Sequence, residues 1–290
     1  MPDFWTHIIG GESILEYMEK EYPRQFNKLI TVVKDNQELF NFACQGPDFF
    51  FYNDFWPWIR EKRAPSTGAL IQLEKVRDFL LGSIEYLSKS MGRDDYPYIL
   101  TYFTGFLCHY FFDKNLHPFI IRKSLYPEDH KRLEILIDCY YVEKIWNNVA
   151  CNILPTKAIN SGQHLPLIVI EYYQTLIEKK FMVSGVEYID DSYRDMKTLL
   201  MILYKPGLIR RAIFNILNRF TREDINSLFY PRNPDYSLLT DEEWLEVDRL
   251  YQLAVVEGSD HIKLVMDYLD GRVSPEDLAA AFSDINFEGD

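Results

Sequence analysis

The stretch GFLCHYFFDKNLHPFI, from Gly105 to Ile120, carries His109, Asp113 and His117 at two successive spacings of four. On an α-helix each residue advances by about 100°, so residues four apart lie on the same face. Imidazole and carboxylate groups on one face supply the nitrogen and oxygen ligands of a metal such as zinc. The alternative is an ordinary i,i+4 hydrogen-bonded pair of His109 and Asp113. The other segments of the chain must decide between these two interpretations.

A second segment repeats the spacing. In HKRLEILIDCYYVEKIW, His130, Glu134 and Asp138 again lie four residues apart. Two antiparallel helices that each present histidine and carboxylate can build a polynuclear metal site between them. A ligating histidine commonly donates its second ring N–H to a carboxylate, and Asp138 or Asp129 is a candidate for that role. The alternative for Asp138 is a charge on the helix surface.

Two further donors come from outside these helices. His7 stands just before the first predicted helix, and the turn signature Gln45-Gly46-Pro47-Asp48 ends another. Such a turn can direct the Asp48 carboxylate inward. The aromatic run FFFYNDFWPW that follows either fills the core or lines a pocket, and the core is the simpler expectation.

The elements that must position these groups are all predicted to be helices, so the fold class is an all-α multi-helix bundle. Pro118 lacks a backbone donor and clashes with the carbonyl four residues earlier, which predicts that the central helix ends or kinks around His117. Residues 1–150 form the metal-site core, and residues 151–290 form a helical extension of one continuous domain. Loops are predicted over residues 60–67 and 91–97. Helices are predicted at Gln25–Val33, Leu39–Phe42, Gly68–Ser88, Tyr98–His117, Pro166–Met182, Tyr193–Tyr204, Leu208–Phe220, Thr240–Val256 and from Ser274.

Composition excludes several classes of function. The chain has 290 residues, of which 47% are hydrophobic and 16% aromatic, so it can bury a large core. A net charge of -13 argues against nonspecific nucleic-acid binding and against adsorption to an anionic membrane. No apolar run is long enough to span a bilayer and no signal segment is evident, so we expect a cytoplasmic protein. The four cysteines show no CxxC pairing and are expected to be reduced and buried.

Taken in order, these pieces resemble the zinc-dependent phospholipase C family, whose all-helical fold is shared with certain fungal single-strand nucleases. The resemblance covers about the first 150 residues. It rests on Thr6-His7, Gln45-Gly46-Pro47-Asp48, His109-x3-Asp113-x3-His117-Pro118 and His130-x3-Glu134.

The resemblance implies a trinuclear zinc cluster that hydrolyses phosphate esters of small molecules or lipids. Asp48, His109 and Asp113 would hold one metal, and Asp113 would bridge to a second metal held by His7. His117, His130 and Glu134 would hold the third, and Asp48 is also implied as a general base. Bound zinc lowers the pKa of water toward about 7 and so supplies hydroxide at neutral pH.

Two positions depart from the family pattern. Gln72 stands where the family has a histidine in a Gly-x3-His-x-Glu setting, and an amide is a poor zinc ligand beside imidazole. The secreted enzymes also use a processed N-terminal tryptophan, whereas Trp5 is internal. One or two zinc ions are therefore expected rather than three. Asp3, water or the free terminus would have to complete the second site. The set of His117, His130 and Glu134 is the most complete of the three. The alternative function is a metal-binding helical protein that has lost turnover.

The second half is predicted to be structural. His164 and His261 lie outside any ligand spacing. Four arginines surround one short predicted helix, and they form either a solvated face or a contact for phosphate or a lipid surface. They are Arg210, Arg211, Arg219 and Arg222.

Overall fold

The computed structural model describes residues 3–55, 59, 63–204 and 229–290 of the chain. Within these ranges all regular secondary structure is helical, which confirms the all-α class. Short 3-10 turns lie at Asp48–Tyr52, Ala150–Asn152 and Tyr236–Leu238. The α-helices are α1 (Phe4–Glu21), α2 (Asn27–Lys34), α3 (Gln37–Ala43), α4 (Ala64–Leu73), α5 (Val76–Lys89), α6 (Tyr96–Lys123), α7 (Pro127–Trp146), α8 (Pro155–Ala158), α9 (Leu167–Phe181), α10 (Ile189–Tyr204), α11 (Asp241–Leu269) and α12 (Pro275–Ala281).

Helix α6 is the centre of the fold. It packs against α1, α3, α7, α9 and α11, and nearly every side chain from Ile99 to Ile120 is buried. A helix that is apolar all round is stable only when other elements cover every face, as they do here. His109 and Asp113 thus lie in the interior of the protein.

An end or a kink of this helix was predicted around His117, and the end is wrong. Helix α6 continues through Pro118 to Lys123. Pro118 removes one backbone hydrogen bond, to the carbonyl of Lys114, but Phe119 and Ile120 beyond it are fully buried. Their packing outweighs the lost bond, so tertiary contacts override the local preference.

The predicted helix from Gly68 to Ser88 is two helices. Lys75, in the left-handed conformation with φ of 51°, separates α4 from α5. The break lets α4 pack on the Asp48–Tyr52 turn while α5 packs on α9, which one straight helix could not do.

The predicted loop over residues 60–67 is also wrong at its end. Ala64 and Thr67 form the buried start of α4, and residues 60–62 lie outside the described ranges.

The second half follows the predicted helices closely where it is described. The Thr240 capping box is confirmed, although α11 runs to Leu269 rather than to Val256. The Ser274 cap is confirmed by a hydrogen bond to its side chain from the Asp277 amide. The predicted helix over residues 208–220 and its four arginines lie outside the described residues.

The core combines aromatic rings with a larger number of aliphatic side chains. Phe49 and Phe50 are completely buried, whereas Phe51 is 40% exposed and faces a cavity.

Cys44, Cys108 and Cys139 are buried free thiols, but Cys151 is exposed, against expectation. It lies in the turn after α7, where only Ala150 is buried. Among the described helices, none is long and apolar enough to cross a lipid bilayer.

Candidate metal centre

A buried carboxylate fixes the start of α1 and therefore the position of His7. Asp138 of α7 accepts hydrogen bonds from the backbone N–H groups of Trp5 and Thr6, each at 2.7 Å. It also accepts from the Thr6 hydroxyl at 2.5 Å and the Tyr230 hydroxyl at 2.7 Å. The first N–H groups of a helix have no partner within the helix, and a carboxylate there also meets the positive end of the helix dipole.

This role corrects both expectations for Asp138. It is completely buried, so it is no surface charge, and its hydrogen-bond partners among the described residues are backbone and hydroxyl groups rather than a ligating histidine. The contact joins residues 133 positions apart, which spacing along α7 does not reveal.

The first cluster brings His7 of α1 to His109 and Asp113 of α6. Asp113 directs Oδ1 to within 3.2 Å of His7 Nε2 and Oδ2 to within 3.1 Å of His109 Nε2. The two imidazole rings lie 4.1 Å apart between centroids. All three side chains are at most 1% exposed. The carboxylate thus lies between two nitrogens in the interior.

These close atoms do not form hydrogen bonds. Within the part of the chain that is described, the Nε2 atoms of His7 and His109 and both Asp113 oxygens have no hydrogen-bond partner. His109 Nδ1 lies 3.0 Å from the Cys44 carbonyl oxygen, which can only accept, so the proton of a neutral imidazole is on Nδ1. Its Nε2 lone pair then faces a carboxylate oxygen. A cation, either a proton or a metal ion, is needed between them.

The separations fit a metal. Two ligands that each lie about 2.0 Å from zinc at the tetrahedral angle are about 3.3 Å apart. The two nitrogen–oxygen distances at Asp113 are 3.2 and 3.1 Å. Buried nitrogen and oxygen atoms without hydrogen-bond partners are rare in folded proteins and point to a ligand. The donor set therefore fits zinc or a similar divalent ion.

Asp48 borders this cluster from the turn after α3. Its Oδ1 lies 3.9 Å from His109 Nε2, and ligand atoms of His7, Asp48 and His109 all lie within 4.8 Å of one another. Gln72 of α4 donates from Nε2 to Asp48 Oδ1 at 2.6 Å. The position where the family has a histidine is therefore next to the predicted ligand, but here it presents an amide.

Gly46 lets the turn pass over the His109 ring. Its φ is +52°, and a Cβ at this position would lie 2.1 Å from His109 Cδ2. Only glycine satisfies both the backbone conformation and this close approach. The glycine of the turn motif thus has a direct structural link to a candidate ligand.

Burial and neighbouring charges shift the pKa values of the first cluster. Burial and the neighbouring His109 lower the pKa of His7 to about 4. Burial raises the pKa of the Asp48 carboxyl to about 7. Burial opposes ionisation of Asp113, but the adjacent His109 and His7 hold its pKa well below the usual range. At neutral pH the cluster thus offers His7 as a neutral imidazole and Asp113 as a carboxylate, the forms that bind metal.

The second cluster lies toward the end of α6 and is more open. His117 Nε2 lies 3.2 Å from His130 Nε2, which lies 2.9 Å from Glu134 Oε1. His130 is 28% exposed and Glu134 is 8% exposed. Burial lowers the pKa of His117 to about 4, so its ring is neutral at pH 7. The structure thus brings together all three residues predicted for the third metal.

Two features of this region had no sequence motif. Phe287 places its carbonyl 3.4 Å from His117 Nδ1 and its buried ring 5.7 Å from the His109 ring. Lys131 lies 3.0 Å from Asp3 Oδ1 and 3.1 Å from Glu134 Oε2. Asp3, one of the three alternatives for completing the second metal site, is therefore engaged by Lys131. The i,i+3 spacing of Lys131 and Glu134 was visible in the sequence, but the contact with Asp3 was not.

The remaining histidines lie away from both clusters. His164 is exposed and paired with Asp190 at 2.6 Å, and His261 packs on the Phe111 ring.

Comparison with protein-family models, with curated proteins and with solved structures finds no match for this chain. Arguments about its chemistry therefore depend on the geometry of the two clusters.

Proposed function

We propose that this protein is a zinc-dependent hydrolase of phosphate esters. The observation that carries the proposal is the buried arrangement of His7, His109 and Asp113, whose facing nitrogen and oxygen atoms lack hydrogen-bond partners among the described residues. The nearby His117, His130 and Glu134 add a second group of suitable ligands. The motif resemblance to the zinc-dependent phospholipase C family supplies the reaction class.

The roles of the residues follow from their positions. His7, His109 and Asp113 would hold metal in the first cluster, and His117, His130 and Glu134 would hold it in the second. When bound, zinc acts as a Lewis acid that lowers the pKa of water and neutralises charge on phosphoryl oxygens. The Cys44 carbonyl orients His109 so that Nε2 faces the ligand position.

Asp48 is the residue proposed to accept a proton during hydrolysis. It lies at the edge of the first cluster, where its side chain is 16% exposed. A carboxyl with a pKa of about 7 is suited to proton transfer near neutral pH. Gln72 fixes one of its oxygens through the 2.6 Å hydrogen bond, and the other oxygen remains to receive the proton.

A second candidate function is metal binding without turnover. It is favoured by Gln72, whose amide N–H group is directed at Asp48 where the family places an imidazole. With one ligand fewer, the first cluster could retain a metal that stabilises the fold and still fail to activate water. The two functions differ only in hydrolysis, because both require bound metal.

Metal content and hydrolysis test the proposal together. The protein is purified without chelator, its metals are measured by elemental analysis, and hydrolysis is assayed with bis(p-nitrophenyl) phosphate and with phosphatidylcholine vesicles. His109→Gln removes a ligand, and His261→Gln is the matched control because His261 lies on α11 outside both clusters. We expect H109Q to lose at least one equivalent of zinc and nearly all hydrolysis, while H261Q keeps both.

The outcomes separate the candidates. Zinc in the wild type that H109Q loses, without hydrolysis of either substrate, supports the binding function and contradicts the hydrolase. Equal metal content in wild type and H109Q contradicts both functions.

A further inference from the structure

A cavity beside the two clusters has one cation and several acids among its described lining residues. It has a volume of about 280 Å³, and its walls include Asp48 from the first cluster and Glu134 from the second. Asp3 is a third carboxylate in its lining, and Lys131 is the cation among the described lining residues. An anionic phosphate ester that enters this cavity therefore meets three carboxylates and one ammonium group.

The Lys131 ammonium is held at a defined position. Asp3 Oδ1 lies 3.0 Å from Nζ on one side and Glu134 Oε2 lies 3.1 Å from it on the other. The side chain is 32% exposed and is part of the cavity lining. An ammonium has three N–H donors, and its ion-pair partners among the described residues are these two carboxylates, so a third donor can serve a ligand.

Lysine is protonated at neutral pH, so Lys131 brings a positive charge to the cavity wall, between the carboxylates of Asp3 and Glu134. Phosphoryl oxygens are anions of the right type, and lysine binds them as a point charge.

The rest of the cavity wall is suited to the organic part of an ester. Leu199, Leu200 and Leu203 of α10 form one side, with Tyr204 at its end. Burial raises the pKa of the Tyr204 hydroxyl well above its usual value, so the hydroxyl is neutral at pH 7. A cavity lined by apolar side chains and a cation accommodates an ester with a charged phosphoryl group and an uncharged organic group.

We propose that Lys131 is a substrate-binding residue whose ammonium group binds the phosphoryl oxygens of the ester between the two metal clusters. This inference rests on the proposed hydrolase function and adds the residue that recognises the anion. The alternative is that Lys131 only neutralises Asp3 and Glu134. That alternative predicts a change in stability but no change in the binding of phosphate.

The experiment measures phosphate binding and hydrolysis separately in zinc-loaded protein. Inorganic phosphate is titrated while the unfolding temperature is followed, and kcat and KM are measured with bis(p-nitrophenyl) phosphate. The variants are Lys131→Met and Lys131→Arg, with Lys114→Met as the matched control. Lys114 also pairs with a glutamate, Glu257 at 2.9 Å, but does not line the cavity.

We expect K131M to weaken phosphate binding about tenfold or more, because it removes a charge-assisted contact. KM should rise by a similar factor with a smaller change in kcat, and zinc content should be unchanged. K131R should retain most phosphate binding, and K114M should match the wild type.

Phosphate affinity and KM of K131M within twofold of wild type would overturn the inference, and so would an equal loss in K114M. If K131M does not fold, Asp3→Asn is added, because Asp3 is one of the two carboxylates that lose their ion-pair partner in K131M. The phosphate affinity and KM of the double variant are then compared with those of D3N alone by the same criteria. If the wild type hydrolyses nothing, the hydrolase proposal fails on its own, and the phosphate titration still decides the role of Lys131.

Discussion

Substitution of Gly46 by alanine is the sharpest test of how the turn supports the first cluster. The new Cβ would lie 2.1 Å from Cδ2 and 2.6 Å from Nε2 of His109. Carbon atoms in contact are normally about 3.5 Å apart or more, so the imidazole must move by more than about 1 Å. Metal–ligand distances tolerate only about 0.2 Å, so this movement removes His109 as a ligand.

The expected loss of stability has two parts. Alanine in the left-handed region costs about 1–2 kcal/mol, and the forced overlap with a packed ring costs about 1–3 kcal/mol more. Gly92 is the matched control, since it has a φ of +89° and an added Cβ meets nothing within 4 Å. Gly92→Ala should therefore lose only the stability that alanine costs in the left-handed region, and its zinc content should be normal.

Urea unfolding of the metal-free proteins measures the free energy of unfolding, and titration of zinc with a competing chelator measures the metal affinity. We expect G46A to be less stable than G92A by about 1–3 kcal/mol and to bind zinc at least about tenfold more weakly. The same unfolding free energy and the same zinc affinity in the two variants would show that the Gly46 turn does not support His109.

Three further predictions concern residues around the clusters. Gln72→His places an imidazole beside Asp48 and should tighten zinc binding about tenfold in a chelator titration, whereas Gln25→His, beside Asp267, should not. No gain in Q72H would contradict the assignment of this position. In zinc-free protein, the Asp48 carboxyl titrates near pH 7 when folded and near 3.8 when unfolded, so its contribution to stability is present below pH 3.8 and is lost as the pH rises through 7. In urea unfolding, the free energy of unfolding of Asp48→Asn should rise relative to that of the wild type by up to about 4 kcal/mol between pH 4 and 8. A difference that stays constant over this pH range would refute the prediction. Asp138→Ala should cost about 3 kcal/mol or more in urea unfolding and reduce zinc content, because the start of α1 loses its acceptor. The control is Asp129→Ala in the first turn of α7, which should lower the free energy of unfolding by less than about 1 kcal/mol. Equal losses in the two variants would contradict the role of Asp138 as the cap of α1.

Much of the fold and of the candidate site could be predicted from local sequence patterns. The spacing of four places His109 and Asp113 on one helix face, and the Gly-Pro turn directs Asp48 toward them. The caps at Thr240 and Ser274 depend on side chains three residues from their partners, so they too were predictable. The helix pair and the two caps share one property, which is that both partners lie within four residues of each other along the chain. The approach of Asp48 to His109 joins distant positions, and it was expected from the turn motif rather than from spacing.

The features that could not be predicted depend on distant contacts. Pro118 remains helical because its neighbours are buried, and the break at Lys75 follows from the two surfaces that α4 and α5 cover. The pairing of Lys131 with Asp3 and the cap formed by Asp138 on α1 both join positions more than 120 residues apart. Local spacing contains no information on such pairs.

Phe287 packs beside the first cluster, and this packing has a consequence for the exchange of the proposed metal ion. The ring is 1% exposed and lies 5.7 Å from the His109 ring, and the backbone N–H of Phe287 donates to the Gln72 carbonyl at 3.1 Å. His7, His109 and Asp113 have almost no contact with solvent, so a hydrated ion reaches them only when packed elements separate. For the proposed metal ion, we therefore expect capture and release to be limited by a local opening of the protein, so that a long residence time does not require an exceptionally high affinity.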